Sequence, residues 1–476
     1  MISMFINIIS QLITFHFSEA VYLTSSKKSA MKININSDSK KCTTFREKKF
    51  ELRNSVLTDL PGDTESHYHC YFGTCLLLLF GTVIYDFLCF NKVPFDIRLI
   101  HTAFGKFDVV IYSWMLFMLL TCLCYYCFNI WANVRSNSFM KADELRMWNN
   151  VWAIILVGYF VVSFWLSSYI VSTYQLPPAS ASIVLLEQVR LSMKVYAFIR
   201  TSAKTVLQND PLRKQNVNRA KFSQYSFFLF APTLVFSTDY PRTTKIRWTF
   251  ATQRALEIAG GIFFLNFVVG RFLLPSCEEF GIRKFHRTEV FVIILRNCFF
   301  GILFYLTGFY LLFHSVQNLF AELLCFGDRL FYDEWWNCTH FSQFFRRWNL
   351  LVHDWLYKYL YEDVYEYVVE NKNVAKILTF LISAVVHEWA LTYILGYFFP
   401  GLSIYYLGFL LYILLEKKQQ NNSTFKISFR IGLTTGIGIL ISVYMLEYFA
   451  RINMKKNYNS IGNFYLPNFL ICDCIN

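Results

Sequence analysis

Apolar residues in this chain gather into long runs instead of alternating. The runs lie at roughly 71–90, 108–131, 151–172, 253–273, 289–314, 376–397, 401–416 and 430–449, with short polar joints between most of them. A helix of about 20 apolar residues crosses the hydrocarbon of a bilayer, so each run predicts a membrane-spanning helix. A polar stretch rich in Ser and Lys, from about 25 to 53, precedes the first run and reads as a solvated arm. Residues 1–17 are apolar, but no basic leader or clear small-residue cleavage site marks them as a signal peptide.

The basic residues decide a ninth crossing. The basic arm sets the N-terminus in the cytosol, and Arg135, Lys141 and Arg146 after the second run agree. Three crossings alone would leave Arg200, Lys204, Arg213, Lys214, Arg219 and Lys221 on the lumenal side, against the positive-inside rule. A crossing at about 178–199 restores the balance, although it carries Glu187, Arg190 and Lys194. Ionisable groups inside a membrane face a bundle interior and point to function. Nine crossings put the Lys417–Lys418 loop in the cytosol and the C-terminus in the lumen. The expected fold is an all-α, polytopic bundle of about nine transmembrane helices. It divides into a largely disordered arm at 1–60, the membrane domain at 61–455 and a lumenal tail at 456–476.

Composition supports lipid as the solvent. Hydrophobic residues make up 55% of the chain, aromatic residues 19% and charged residues only 16%. The net charge of +13 sits in the gaps between apolar runs and not on one soluble face, which excludes nucleic acid as the natural partner and leaves anionic lipid or an anionic co-substrate. Thirteen Cys are scattered, and several, Cys122, Cys124 and Cys127 among them, lie inside an apolar run and read as small hydrophobes, so neither a metal site nor a disulfide framework is expected.

The segment from about 315 to 372 is too polar to span and too patterned to be a linker. Read as helix, it places Arg346, Asn349 and His353 at i, i+3 and i+7, on one face. Arg suits a phosphate, and Asn can donate to a carbonyl oxygen that becomes negative. An amphipathic helix lying at the interface explains the same spacing. Inside the run at 376–397 stand His387 and Glu388, costly there without a partner or a task. The HExxH zinc pattern fails because Leu391 occupies the second histidine position. A neutral imidazole suits a general base, and a structural histidine satisfied by a neighbouring helix is the alternative.

The run Phe331, Tyr332, Asp333, Glu334, Trp335, Trp336, Asn337 resembles the FYxDWWN signature of the sterol O-acyltransferase branch of the membrane-bound O-acyltransferase family. The resemblance continues at Trp348-Asn349, through 352–356, at Ser383-Ala384-Val385-Val386-His387-Glu388, and at landmarks near 176–180, 230–234, 240–242 and 447–451, so that it covers roughly residues 60–455. It implies an internal reaction chamber, with acyl-CoA arriving from the cytosol as co-substrate, no permanently bound cofactor, and a sterol such as cholesterol entering from the membrane. It implies His387 as catalytic base and Asn349 as the residue polarising the thioester. Acyl-CoA contacts carry over to Gln343, Arg346, Asn349, His353, Tyr361, Lys372 and Ser383, and a sterol contact to His69. Glu334 stands where the family has Asp, which leaves the local hydrogen bonding open. The earlier lumenal Cys of the relatives is missing, so a family-type disulfide at Cys472 or Cys474 is not expected. Residence in the endoplasmic reticulum membrane and a homodimer or homotetramer are implied as well. A diacylglycerol acyltransferase of the same family, and a transporter or sterol sensor without turnover, are the rival readings.

Overall fold

The computed structural model describes residues 47–59, 62–91, 97–137, 141–208, 219–415, 423–454, 467–471 and 474–475. Each expected crossing coincides with one helix. They are α1 (Gly62–Phe90), α2 (Phe107–Asn137), α3 (Ala142–Thr173) and α4 (Pro178–Gln208). After the short α5 (Phe222–Phe230) come α6 (Trp248–Val268) and α7 (Arg287–Phe309), each continued through a π-helical turn into a further helical piece. The short α8 (Phe341–Arg347) and α9 (Leu350–Trp355) precede α10 (Lys372–Leu395), α11 (Gly401–Leu415) and α12 (Ser423–Asn453). Among the described residues six helices are long and apolar enough to cross a membrane, two apolar helices are shorter, and α4 is the charged ninth. Hydrocarbon cannot satisfy backbone polar groups, so helices that bond internally are the form such runs take.

Helix α7 lies along α12, and α2 along α4. The first pairing depends on glycine: a Cβ on Gly438 would collide with the Cys298 backbone, and one on Gly301 would press on Ile441. Small residues allow this close approach where no hydrophobic drive exists between helices.

The charges on α4 have a structural task, which corrects the expectation that they mark a functional path. Lys194, 1% exposed, donates to the carbonyls of Phe228, Leu229 and Ala231 at 2.6, 3.0 and 2.8 Å. These carbonyls end α5, where a cation both fills orphan acceptors and meets the negative end of the helix dipole. Arg190 adds a bond to Leu229 O at 2.7 Å and pairs with Glu187 at 2.6 Å.

Two further differences concern the termini. The arm is packed over its last stretch: residues 47–59 lie against the segment that follows α7. Cys474 is disulfide-bonded, so the tail carries a bridge where none of the family type was expected; Cys472 lies outside the described residues.

Candidate active site

His387 sits mid-way along α10. Its Nδ1 lies 2.7 Å from the carbonyl oxygen of Ser383, one turn earlier. A carbonyl only accepts, so Nδ1 carries the proton and Nε2 keeps a free lone pair. The ring is surrounded by protein at longer range and still retains accessible surface. Across from it stands the Tyr406 ring of α11, 5.5 Å between centroids.

Glu388 points the other way. Its carboxylate, 4% exposed, accepts from Ser403 N at 2.8 Å, Ser403 Oγ at 2.7 Å and Tyr444 Oη at 3.3 Å. The acidic neighbour is thus the tie that joins α10 to α11 and α12. It orients the helix, and the imidazole is left free for chemistry.

The expected single helix through Arg346, Asn349 and His353 does not form. Helix α8 stops at Arg347 and α9 begins at Leu350, with Asn349 between them at φ −142° and ψ 86°. The Asn349 Oδ1 accepts from Val352 N at 3.1 Å, because an Asn side chain competes for backbone donors and favours the N-cap. Capping consumes the carboxamide oxygen and leaves its NH2 as a donor. The three residues belong to two helices and the joint between them.

The signature segment holds that joint. Asp333 N donates to Arg347 O at 2.8 Å and Leu350 N to Phe331 O at 3.0 Å, on either side of Asn349. Phe331, Tyr332 and Trp335 are buried, and Trp348 stacks on Tyr305 of α7 at 5.3 Å. Glu334 and Asn337 lie on the exposed side, where the longer Glu arm still accepts from Asn337 Nδ2 at 3.0 Å. Trp336 packs edge-on to Trp335 at 5.8 Å. The motif is a rigid bracket, and its residues build the site's frame.

The remaining expected contacts fall along two lines. Rings connect His387 to α8: Tyr406 is 5.2 Å from Phe380 and 6.2 Å from Phe345, the residue before Arg346. Arg346 is exposed, with Nε on Ser342 O at 3.1 Å. Gln343 faces inward to Thr339, accepting from its N at 3.3 Å. His353 and Tyr361 belong to a ladder of rings, His353–Tyr357–Tyr361, with centroid spacings of 6.5 and 5.5 Å. Burial pushes the Tyr361 phenol up, and Tyr361 continues the ladder to Tyr365 at 6.4 Å. Lys372 is exposed at the first turn of α10, fifteen residues before His387, or about 22 Å at the helical rise. Ser383 lies between them. His69 is on α1, and its side-chain surroundings lie outside the described residues.

Reading the sequence missed Tyr406, Ser403 and Tyr444. Ser403 and Tyr444 carry the one available signal, polar groups in the two runs that follow the one holding Glu388; Tyr406 is one of 30 tyrosines in the chain.

Among the described residues, six helices long and apolar enough to cross a membrane define a polytopic membrane protein. The family model of the membrane-bound O-acyltransferases matches residues 137–446, and the chain belongs to that family; it is an O-acyltransferase. It is 30% identical over 429 residues to the Mus musculus protein named sterol O-acyltransferase 1, covering 89% of this chain and 79% of that one. It is 31% identical to Rattus norvegicus sterol O-acyltransferase 1 over 408 residues, 84% of this chain and 74% of that protein. Homo sapiens sterol O-acyltransferase 2 is 31% identical over 412 residues, 85% of this chain and 77% of its own length.

Proposed function

We propose that this enzyme transfers a long-chain acyl group from acyl-CoA to the 3β-hydroxyl of a sterol in the endoplasmic reticulum membrane, with His387 as general base. The observation that carries the reading is the Nδ1 contact to Ser383 O, which fixes the tautomer and leaves Nε2 as the basic nitrogen. The names of the similar proteins support a sterol as acceptor.

In this mechanism Nε2 takes the proton of the sterol hydroxyl as its oxygen attacks the thioester carbonyl. The C–S bond breaks, coenzyme A leaves as thiolate, and the imidazolium returns the proton to sulfur. No covalent acyl-enzyme is required. The Asn349 NH2 meets the oxyanion that forms on the carbonyl. Helix α10 supports an elongated donor: Lys372 at its first turn suits the CoA phosphates, and His387 stands at the reacting end.

The test is ester formation from labelled oleoyl-CoA with cholesterol and diacylglycerol offered in parallel. Steryl ester that disappears in His387→Ala is the expected result. Triacylglycerol instead would replace the acceptor, and no ester from folded protein would overturn the reading.

A further inference from the structure

The stretch ahead of α1 is stitched to the functional segment at three places. Arg53 and Asp328 form a parallel bridge, with Arg53 N on Gly327 O and Arg329 N on Arg53 O, both at 3.0 Å. The Arg53 guanidinium also reaches the Asp328 carboxylate at 2.6 Å. Glycine is needed there, since a Cβ on Gly327 would stand 2.7 Å from Leu52 Cδ1 and 2.9 Å from Pro241 O. Further along, Ser55, 1% exposed, meets the hydroxyl of the signature residue Tyr332 at 3.0 Å. That hydroxyl is also 2.7 Å from His314 Nδ1, and His314 Nε2 takes a bond from Arg254 at 2.6 Å. At the other end Lys48 Nζ lies 2.6 Å from Asp354 Oδ2, on α9 beside His353.

Lys48 and Phe50 line a cavity of about 330 Å³ together with Phe198 and Thr201 of α4. Phe50 packs edge-on to Tyr240 at 5.0 Å, and Lys48, at the edge of the cavity, is held by its ion pair. Both partners are largely shielded, with side-chain exposures of 16% and 27%, so the pair is worth more than one in bulk water. Asp354 agrees: burial pushes its carboxyl up, yet His353 and Lys48 together hold it below the usual range.

We propose that residues 47–59 clamp the acyl-donor side of the site, and that Lys48 is a positioning residue acting through Asp354 on the helix that Asn349 caps and His353 shares. The proposal rests on the reading that acyl-CoA lies along that helix. The clamp reaches the bracket through Ser55 and the donor helix through Lys48, so it sets one relative to the other. Among the described residues, no hydrogen bond, ion pair or ring contact joins it to His387 or Tyr406 on the acceptor side.

The test uses the full chain and a non-transferable thioether analogue of oleoyl-CoA, whose binding needs no turnover. Lys48→Met is expected to weaken analogue binding and raise the acyl-CoA KM about fivefold or more, the range of a direct pairwise coupling. The KM for sterol stays unchanged. Lys48→Arg retains the charge and restores binding. The exchanged pair Lys48→Asp with Asp354→Lys binds better than Lys48→Asp alone. Failure of the wild type to bind the analogue would overturn the acyl-donor reading itself. Wild-type binding with an unchanged Lys48→Met, or equal losses for donor and sterol, would overturn the clamp alone.

Discussion

At the scale of residues, function rests on which atom of each side chain is already spent. His387 spends Nδ1 on Ser383 O and Asn349 spends Oδ1 on Val352 N, so the proposed reaction is left with Nε2 of the first and the NH2 of the second. Asn349 allows the two tasks to be separated. Aspartate accepts the same cap bond but cannot donate, whereas alanine does neither. Asn349→Asp is expected to keep thermal stability and lose roughly 10²–10³ in kcat, the usual cost of an oxyanion donor. Asn349→Ala loses the same activity and about 1 kcal/mol of stability in addition, from the cap. Thermal unfolding beside kcat for the two variants checks this, and an active Asn349→Asp would remove Asn349 from the mechanism. His387 was readable in the sequence because an imidazole in an apolar run is costly. The roles of Glu388 and of the α4 charges were not, because sequence shows that a buried charge needs a partner but not whether the partner is substrate or backbone.

At the scale of elements, spacing alone misled where a single cap broke a helix. The interval from Arg346 to His353 fits one helical face, yet Asn349 ends one helix and starts the next, and the signature segment pins the break from both sides. The stretch after α9 carries its own electrostatic load. The Glu362 carboxyl is pushed up to about 7 by burial, then by Asp363 and Glu366. An unfolded Glu titrates near 4.3, so at acid pH both states are protonated and nothing is lost. As pH rises from about 4.5 to about 7, ionisation costs the folded state more than the unfolded one, and above that the penalty is complete. Glu362→Gln removes the penalty. Its melting temperature is expected to match the wild type at pH 4.5, rise above it through pH 7 and keep a constant lead beyond. A lead independent of pH would show that Glu362 acts through something other than its charge.

At the scale of the whole molecule, nine apolar or near-apolar runs became nine helices among the described residues, because a lipid solvent leaves an internally bonded helix as the available form. The charged run at α4 was recovered from the distribution of Lys and Arg between runs, a whole-chain property that no local hydropathy detects. The same reasoning predicts sides. The segment from α8 to α9, with the proposed acyl-donor residues, is expected with the N-terminus in the cytosol and the tail after α12 in the lumen, where the disulfide at Cys474 would suit an oxidising compartment. The chain carries its own test of this arrangement. Asn337, Asn421 and Asn422 lie in glycosylation sequons on the side expected to be cytosolic, so they are expected to remain bare. Ile461→Thr converts Asn459-Ser460-Ile461 into a sequon on the lumenal tail, where glycan is expected and shows as a glycosidase-sensitive shift on a gel. Glycan on a native sequon with none at Asn459 would invert the molecule. The Lys372 end of α10 would then face the lumen, away from cytosolic acyl-CoA, and the proposed direction of donor entry would fall with it.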